Sequence, residues 1–166
     1  LEENILEGLF RLQSHGFLLI MITNQPGIAL GYFQEKALNE VKGKINDLLN
    51  DYHISLDGFF YCPHDINGLI KEYTIPCNCR KPLPGLILVA AKEMEIDLSQ
   101  SWMIGDILHD IEAGKKAGCY AALINNGNET EWDTSGLRKP DLVVSSINEA
   151  AKFIAERANN NADGNQ

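Results

Sequence analysis

Three of the four cysteines lie close together in the sequence and have a histidine beside them. The pattern is Cys62-Pro-His64, then twelve residues, then Cys77-Asn-Cys79. Three thiolates and one imidazole form the ligand set of a closed, tetrahedral zinc site, which leaves no open position for a catalytic water. We therefore predict that these four side chains bind a structural Zn²⁺, which orders a segment with little core material of its own. Incidental cysteines in a loop are the alternative.

Two aspartates, Asp106 and Asp110, follow an apolar segment at residues 101–104. Carboxylates four positions apart at a strand-to-helix junction can both face the crevice at the end of the strand. Mg²⁺ takes carboxylate oxygens and keeps several waters. Asp106 is therefore predicted to bind Mg²⁺, and Asp110 to support that arrangement. The alternative is a pair that only caps the helix.

Hydroxyl, amide and cationic side chains occupy two further loops. Thr23 and Asn24 come directly after the apolar residues 17–22, and a hydroxyl with neighbouring backbone N–H groups can hold phosphate oxygens. Arg80 and Lys81 come directly after the cysteines. Lys81 can neutralise a transferring phosphoryl group, and Arg80 can bind an oxyanion through two hydrogen bonds. An ordinary turn and a solvated basic pair are the alternatives.

Alternating strands and helices must position these side chains. The predicted strands are residues 17–22, 58–61, 101–104, 120–124 and 141–144. The predicted helices are residues 1–14, 33–49, 84–94, 110–117 and 147–157. This alternation predicts an α/β fold with a parallel sheet and helices on both faces. In such a fold, ligands bind beyond the carboxyl ends of the strands, where the loops described above lie.

Length and charge limit the possible partners. The 166 residues predict a single domain at residues 1–158, followed by a disordered polar tail at residues 159–166. A net charge of -9 argues against nucleic acid and anionic membranes as general partners. No run approaches the ~20 apolar residues of a membrane span, and no basic leader indicates secretion. We predict a cytoplasmic monomer that binds a small phosphorylated metabolite.

The order of hydroxyl, lysine and paired aspartates, each after a strand, resembles motifs two, three and four of the haloacid-dehalogenase-type (HAD) superfamily. Residues 23–29, 62–64 and 77–82 resemble the D-glycero-D-manno-heptose-1,7-bisphosphate 7-phosphatases. The histidinol-phosphate phosphatases share the Cys/His loop. The resemblance covers residues 1–158. It implies a three-layer, Rossmann-like HAD fold with a mostly parallel sheet, a zinc-binding loop and no large cap domain.

The resemblance also implies an activity, that of a Mg²⁺-dependent phosphomonoesterase acting on a small sugar bisphosphate, with histidinol phosphate as the alternative substrate. The implied roles are phosphoryl binding by Thr23, substrate contact by Asn24 and Arg80, charge stabilisation by Lys81, Mg²⁺ ligation by Asp106 and support of that ligand by Asp110. Two positions depart from the family pattern. Leu30 stands where relatives often carry arginine, and Ile107 where the heptose-bisphosphate enzymes tend to have lysine. Both changes bear on the sugar-bisphosphate assignment more than on the phosphatase assignment.

The first motif of the family, D-x-D-x-[TV] on the central strand, does not occur in this sequence. In the family its first aspartate attacks phosphorus to form an aspartyl-phosphate, and its second acts as general acid and base. We expect this motif upstream of Leu1. The chain is then a fragment that is inactive as it stands, and its sheet has a gap with unpaired edges. A non-catalytic, zinc-stabilised binding module is the alternative, ahead of a redox or zinc-storage protein.

Overall fold

The computed structural model describes residues 5–163, in which strands and helices alternate along the chain as predicted. The strands are β1 (Ile20–Asn24), β2 (Gly58–Cys62), β3 (Trp102–Gly105), β4 (Tyr120–Ile124) and β5 (Leu142–Val144). The helices are α1 (Ile5–Ser14), α2 (Ala37–Asn50), α3 (Gly85–Glu93), α4 (Leu108–Ala117) and α5 (Ile147–Asp163). Residues 1–4 of the first predicted helix and residues 164–166 of the predicted tail lie outside the described residues.

The strands form two parallel sheets. In the first sheet β1 pairs with β2, and Ile22 lies opposite Phe60. In the second sheet β4 lies between β3 and β5. The predicted parallel direction is confirmed at every pairing. Within residues 5–163, one edge of β1 and one edge of β3 have no partner strand.

Helices join the two sheets from both faces, which gives the predicted three layers. On one face α1 packs against α5, and Leu12 and Ile154 belong to a single buried core that also contains residues of β4 and β5. On the other face lie α3 and α4, whose Ile87 and Ala113 form a second core. Ile22 of β1 and Met103 of β3 both pack against this second core. The sheets are therefore neighbours, although no strand pairing joins them.

Several element boundaries differ from the sequence prediction for physical reasons. β1 begins at Ile20 because the preceding Leu19 is paired with Asp57, whose carboxylate accepts from the Leu19 N–H at 2.8 Å. α2 begins only at Ala37, since the residues before it form turns. α5 continues past its predicted end at residue 157 to Asp163.

The connection between β1 and β2 consists of a loop and α2, so within the described residues no domain is inserted there. None of the helices in residues 5–163 is long and apolar enough to cross a membrane. α4 ends as predicted at Gly118, which has a φ of 95°. This left-handed conformation suits glycine, which has no Cβ to clash with the backbone.

Candidate active site and metal centre

Lys81 links the carboxyl ends of β1 and β3. Its ammonium group donates to the backbone carbonyl of Ile22 in β1 at 3.0 Å. The same nitrogen lies 2.6 Å from Oδ1 of Asp110 in the first turn of α4. The two side chains are only 12% and 7% exposed, so the ion pair lies largely out of water. Asp110 in turn packs on Gly105, the last residue of β3, where an added Cβ would overlap the carboxylate.

Asn24, the last residue of β1, contacts the main chain of Lys81. Its Oδ1 accepts from the Lys81 N–H at 3.0 Å, and its Nδ2 donates to the Lys81 carbonyl at 3.1 Å. The structure thus brings together Asn24, Lys81 and Asp110, which the sequence places in three separate loops. The predicted contact of Asn24 with a substrate stays a prediction.

The hydroxyl of Thr23 lies next to a side chain that sequence reasoning missed. Gln25 donates from Nε2 to the Thr23 Oγ1 at 3.1 Å. Its backbone N–H donates to the carbonyl of Cys62 at 2.8 Å, which continues the pairing of the first sheet past the end of β1. Gln25 therefore holds the hydroxyl at the strand end. Nothing in the sequence singles it out, because a glutamine in a loop is more often solvated.

Asp106 follows β3 and meets the loop that comes after β4. Asn128 donates from Nδ2 to Oδ2 of Asp106 at 2.6 Å. The adjacent Glu129 accepts from the backbone N–H of Leu108 at 2.5 Å, and this hydrogen bond lowers the pKa of the Glu129 carboxyl. Sequence reasoning placed their loop, residues 125–140, among the strand-end loops where chemistry is expected, but it assigned a role to neither side chain. Among residues 5–163, no hydrogen bond or ion pair joins Asp106 to Lys81.

A cleft of about 200 Å³ opens beside Asp106. It is lined by Ile107, His109, Asn128, Glu129, Thr130, Glu131 and Arg138. Ile107 therefore borders an open space that a substrate could enter. Arg138 stands at 3.4 Å from a carboxylate oxygen of Glu131, so part of its charge is already balanced.

The predicted metal ligands converge. One ligand atom from each of Cys62, His64, Cys77 and Cys79 lies within 4.8 Å of the other three. The Sγ of Cys62 is 2.7 Å from the Sγ of Cys79 and 3.6 Å from that of Cys77, and His64 Nδ1 is 3.2 Å from the Cys79 Sγ. Four donors gathered around one point, with three thiols among them, suit a soft or borderline metal ion.

Burial and hydrogen bonds shift the pKa values of the three clustered thiols in different directions. Burial raises the pKa of Cys62 and of Cys79. Burial alone would also raise the pKa of Cys77, but hydrogen bonds from Cys79 and from the Arg80 backbone lower it to about 7. The cluster can therefore carry negative charge near neutral pH. A bound cation would remove the remaining protons, because a coordinated thiol is deprotonated.

Side chains around the cluster hold its loop in place. Arg80 donates to the carbonyl of His64 at 3.0 Å and lies 3.2 Å from the Asp65 carboxylate. Glu35 accepts from Tyr61 at 2.7 Å and from Tyr73 at 2.8 Å. Arg80 is thus engaged within the metal loop, and its predicted contact with substrate phosphate stays a prediction.

A parallel α/β domain whose strand ends carry a hydroxyl, a buried lysine–aspartate pair and a further aspartate has the layout of a HAD-type hydrolase. Comparison with known proteins agrees. A profile of the HAD-hydrolase-like family matches residues 78–150, which include Lys81, Asp106 and Asp110.

Longer matches define the relationship more closely. The D-glycero-beta-D-manno-heptose-1,7-bisphosphate 7-phosphatase of Pasteurella multocida is 39% identical over 150 residues, which cover 90% of this chain and 80% of that protein. The enzyme of the same name from Haemophilus ducreyi is 38% identical over 154 residues, covering 92% and 83%. The chain therefore belongs to the HAD-like family of D-glycero-beta-D-manno-heptose-1,7-bisphosphate 7-phosphatases.

A solved structure agrees with this assignment. The D,D-heptose 1,7-bisphosphate phosphatase from B. bronchiseptica, crystallised with magnesium and phosphate, superposes with a TM-score of 0.80 at 29% identity. The match covers 93% of this chain and 83% of that one. The predicted HAD fold and phosphatase family are confirmed.

Proposed function

We propose that this protein contributes to a Mg²⁺-dependent phosphomonoesterase that acts on a small sugar bisphosphate such as D-glycero-D-manno-heptose 1,7-bisphosphate. The position of Lys81 carries the proposal. Its ammonium lies largely out of water at the ends of β1 and β3, where a parallel α/β fold binds ligands. The names of the relatives, which match over most of their length, support the substrate class.

The chemistry of phosphoryl transfer explains why a lysine suits this place. Negative charge spreads over the phosphoryl oxygens in the transition state, and catalysis depends mainly on positioning and charge stabilisation. Lys81 supplies the positive charge, and Asp110 keeps that charge in place. The hydroxyl of Thr23, held by Gln25 at the end of β1, can donate to a phosphoryl oxygen.

Asp106 is proposed to hold Mg²⁺. Its partly exposed carboxylate accepts a hydrogen bond from Asn128 on Oδ2, which leaves the other oxygen for a cation. A single protein carboxylate fits Mg²⁺, which usually combines one or two carboxylates with waters and substrate phosphate. When bound, Mg²⁺ would add further positive charge next to the phosphate.

The Cys/His cluster is proposed to hold structural Zn²⁺. Its three thiols and one imidazole match a closed zinc site, and all four donors come from the chain itself. The cluster ends at Cys79, two positions before Lys81, so an ordered metal loop supports the start of the catalytic segment. The need for reduced thiols also supports a cytoplasmic location. We propose a monomer, which sedimentation or size-exclusion measurements would test.

The proposed mechanism needs an aspartate nucleophile, and the sequence contains no two aspartates separated by one residue. Because the Gln25 N–H points to β2, strand alternation directs the Ile22 carbonyl to the other, unpaired edge of β1. Lys81 spans from this carbonyl to Asp110, beside β3. We propose that a strand from outside residues 1–166, or from another chain, pairs with this edge of β1, replaces the Lys81 ammonium at the Ile22 carbonyl and carries the nucleophile.

Phosphate release in the presence of Mg²⁺ tests the proposal, on this chain and on a version extended upstream. The substrates would be heptose bisphosphate, histidinol phosphate and a generic aryl phosphate. We expect activity in the extended version, its loss in Lys81→Met, and no loss in Lys92→Met, which removes an exposed lysine of α3. Activity in neither version, with the extension folded, would favour the binding module. Activity in the short chain would mean that the nucleophile lies within it.

A further inference from the structure

The carboxamide of Asn24 forms two hydrogen bonds with the main chain of Lys81. Its Oδ1 accepts from the Lys81 N–H at 3.0 Å, and its Nδ2 donates to the Lys81 carbonyl at 3.1 Å. The two residues are 57 positions apart, since Asn24 ends β1 and Lys81 lies in the loop that follows β2. Two bonds from one planar group hold the peptide groups on both sides of the Cα from which the Lys81 side chain departs.

The other end of Lys81 is held by the same strand. Its ammonium donates to the carbonyl of Ile22, two residues before Asn24 on β1, and contacts Asp110. Lysine has a flexible four-carbon stem that can adopt many rotamers. Holding the main chain in place reduces the number of positions that the ammonium can occupy. Supporting contacts of this kind make the geometry of a binding site more precise.

We infer that Asn24 is a positioning residue that acts through Lys81. Its carboxamide sets the backbone of Lys81 so that the ammonium lies at the strand ends, where phosphate would bind. This inference rests on the proposed role of Lys81 in binding the phosphoryl group. If Asn24 acts through Lys81, removing the Asn24 side chain should weaken phosphate binding only when Lys81 is present. A direct contact between Asn24 and substrate would not depend on Lys81.

The test uses the 166-residue chain, labelled with ¹⁵N, and inorganic phosphate with Mg²⁺ as the probe. Hydrogen exchange at the Lys81 backbone amide directly measures whether the Asn24 carboxamide holds that N–H. Binding of inorganic phosphate is compared in wild type, Asn24→Ala, Lys81→Met and the double variant. Gln13→Ala is the matched control, since the Gln13 carboxamide likewise bridges two backbone groups far from the site, the carbonyl of His53 at 2.9 Å and the N–H of Ser55 at 2.7 Å.

We expect Asn24→Ala to speed exchange at the Lys81 amide and to weaken phosphate binding by roughly tenfold, the weight of one or two backbone hydrogen bonds. In the Lys81→Met background, the same change should have no further effect on binding. Gln13→Ala should speed exchange at Ser55 and leave both Lys81 exchange and phosphate binding unchanged. If Asn24→Ala does not fold, Asn24→Asp keeps the acceptor for the Lys81 N–H and should retain protection of that amide.

Equal weakening in both backgrounds would overturn the inference, because Asn24 would then contact phosphate itself. Unchanged exchange at Lys81 in Asn24→Ala, or fast exchange in Asn24→Asp, would overturn it as well. A Lys81→Met variant that binds phosphate as tightly as wild type would instead remove the proposed role of Lys81. The exchange data would still decide whether Asn24 holds the Lys81 backbone.

Discussion

The backbone N–H of Gly85 donates to the carbonyl of Asn78 at 2.9 Å, so the first turn of α3 rests directly on the segment that carries the Cys/His cluster. Asn78 stands between two of the cysteines, Cys77 and Cys79. A Cβ on Gly85 would overlap the Asn78 carbonyl oxygen, which is backbone and cannot rotate away. Glycine is therefore required at this contact by space and not by backbone conformation.

We predict that Gly85→Ala destabilises the domain. Relieving the overlap must shift either α3 or the metal loop, and such overpacking costs about 1–3 kcal/mol. The matched control is Gly43→Ala in α2, where a Cβ would have nothing within 4 Å. Alanine in a helix interior should stabilise there, by about 0.5–1 kcal/mol. Urea unfolding measures both. Equal stability of the two variants would mean that α3 can move away from the Asn78 carbonyl without loss of stability.

The ion pair between Lys81 and Asp110 gives a second prediction. Among the described residues, the buried Oδ1 of Asp110 has no other partner than the Lys81 ammonium, with which it forms a close ion pair at 2.6 Å. Lys81→Met leaves Asp110 buried without its counter-charge, which should cost about 3–5 kcal/mol. Adding Asp110→Asn should recover part of this loss, because the unpaired charge is gone.

A double-mutant cycle in urea measures that coupling. The control cycle uses Glu7 and Arg11 of α1, an exposed ion pair at i,i+4 with a 3.0 Å contact. Such surface pairs couple by only about 0.3–0.5 kcal/mol. A coupling at Lys81 and Asp110 as small as that of the control would contradict the prediction, and would mean that water screens the pair.

Sequence reasoning located the strands and the Cys/His cluster because both leave local patterns. Apolar runs of strand length appear at every observed strand, and the four clustered Cys/His residues form two tight pairs. Lys81, Asp106 and Asp110 were identified from their places after predicted strands. The direction of the strands followed from the alternation with helices, which permits parallel pairing.

The side chains that hold these residues left no such pattern. Asn24 and Lys81 are 57 positions apart, and Asn128 and Asp106 are 22 apart, so only the folded chain shows their contacts. Each is a polar residue of a loop, where the sequence allows many roles. The late start of β1 had a similar cause, since the partner of Leu19 is the distant Asp57.

The carboxylate of Glu35 gives a prediction at high pH. Its hydrogen bond to Tyr61 raises the pKa of that phenol to about 12, and its bond to Tyr73 also raises the pKa there. A raised pKa in the folded state favours the protonated phenol. The resulting stability is therefore complete below the ordinary value of 10 and is lost as pH rises through about 12.

Glu35→Gln removes the negative charge, so Tyr61 and Tyr73 should ionise nearer pH 10. An absorbance titration follows the ionisation of all five tyrosines. The tyrosines that ionise at the highest pH in wild type should ionise at lower pH in the variant. The stability of the variant should also fall less than that of wild type between pH 10 and 12. Glu40→Gln, which changes an exposed carboxylate of α2, should leave the titration as it is. An unshifted Glu35→Gln titration would show that Glu35 does not bind both phenols in solution.

Removal of the metal gives the last prediction. We expect one Zn²⁺ per chain by elemental analysis, and a lower content in Cys79→Ser, because Cys79 contributes one of the four donors. At free zinc 100-fold above its Kd, binding to the folded state adds about 2.7 kcal/mol of stability. A chelator should therefore lower the unfolding temperature by about 5–10 °C in a domain of this size.

Cys119→Ala is the matched control, since Cys119 is a buried thiol outside the cluster, and burial raises its pKa to about 11. That variant should keep its zinc and its response to chelator, whereas an unchanged unfolding temperature in zinc-free wild type would contradict a structural role for the ion.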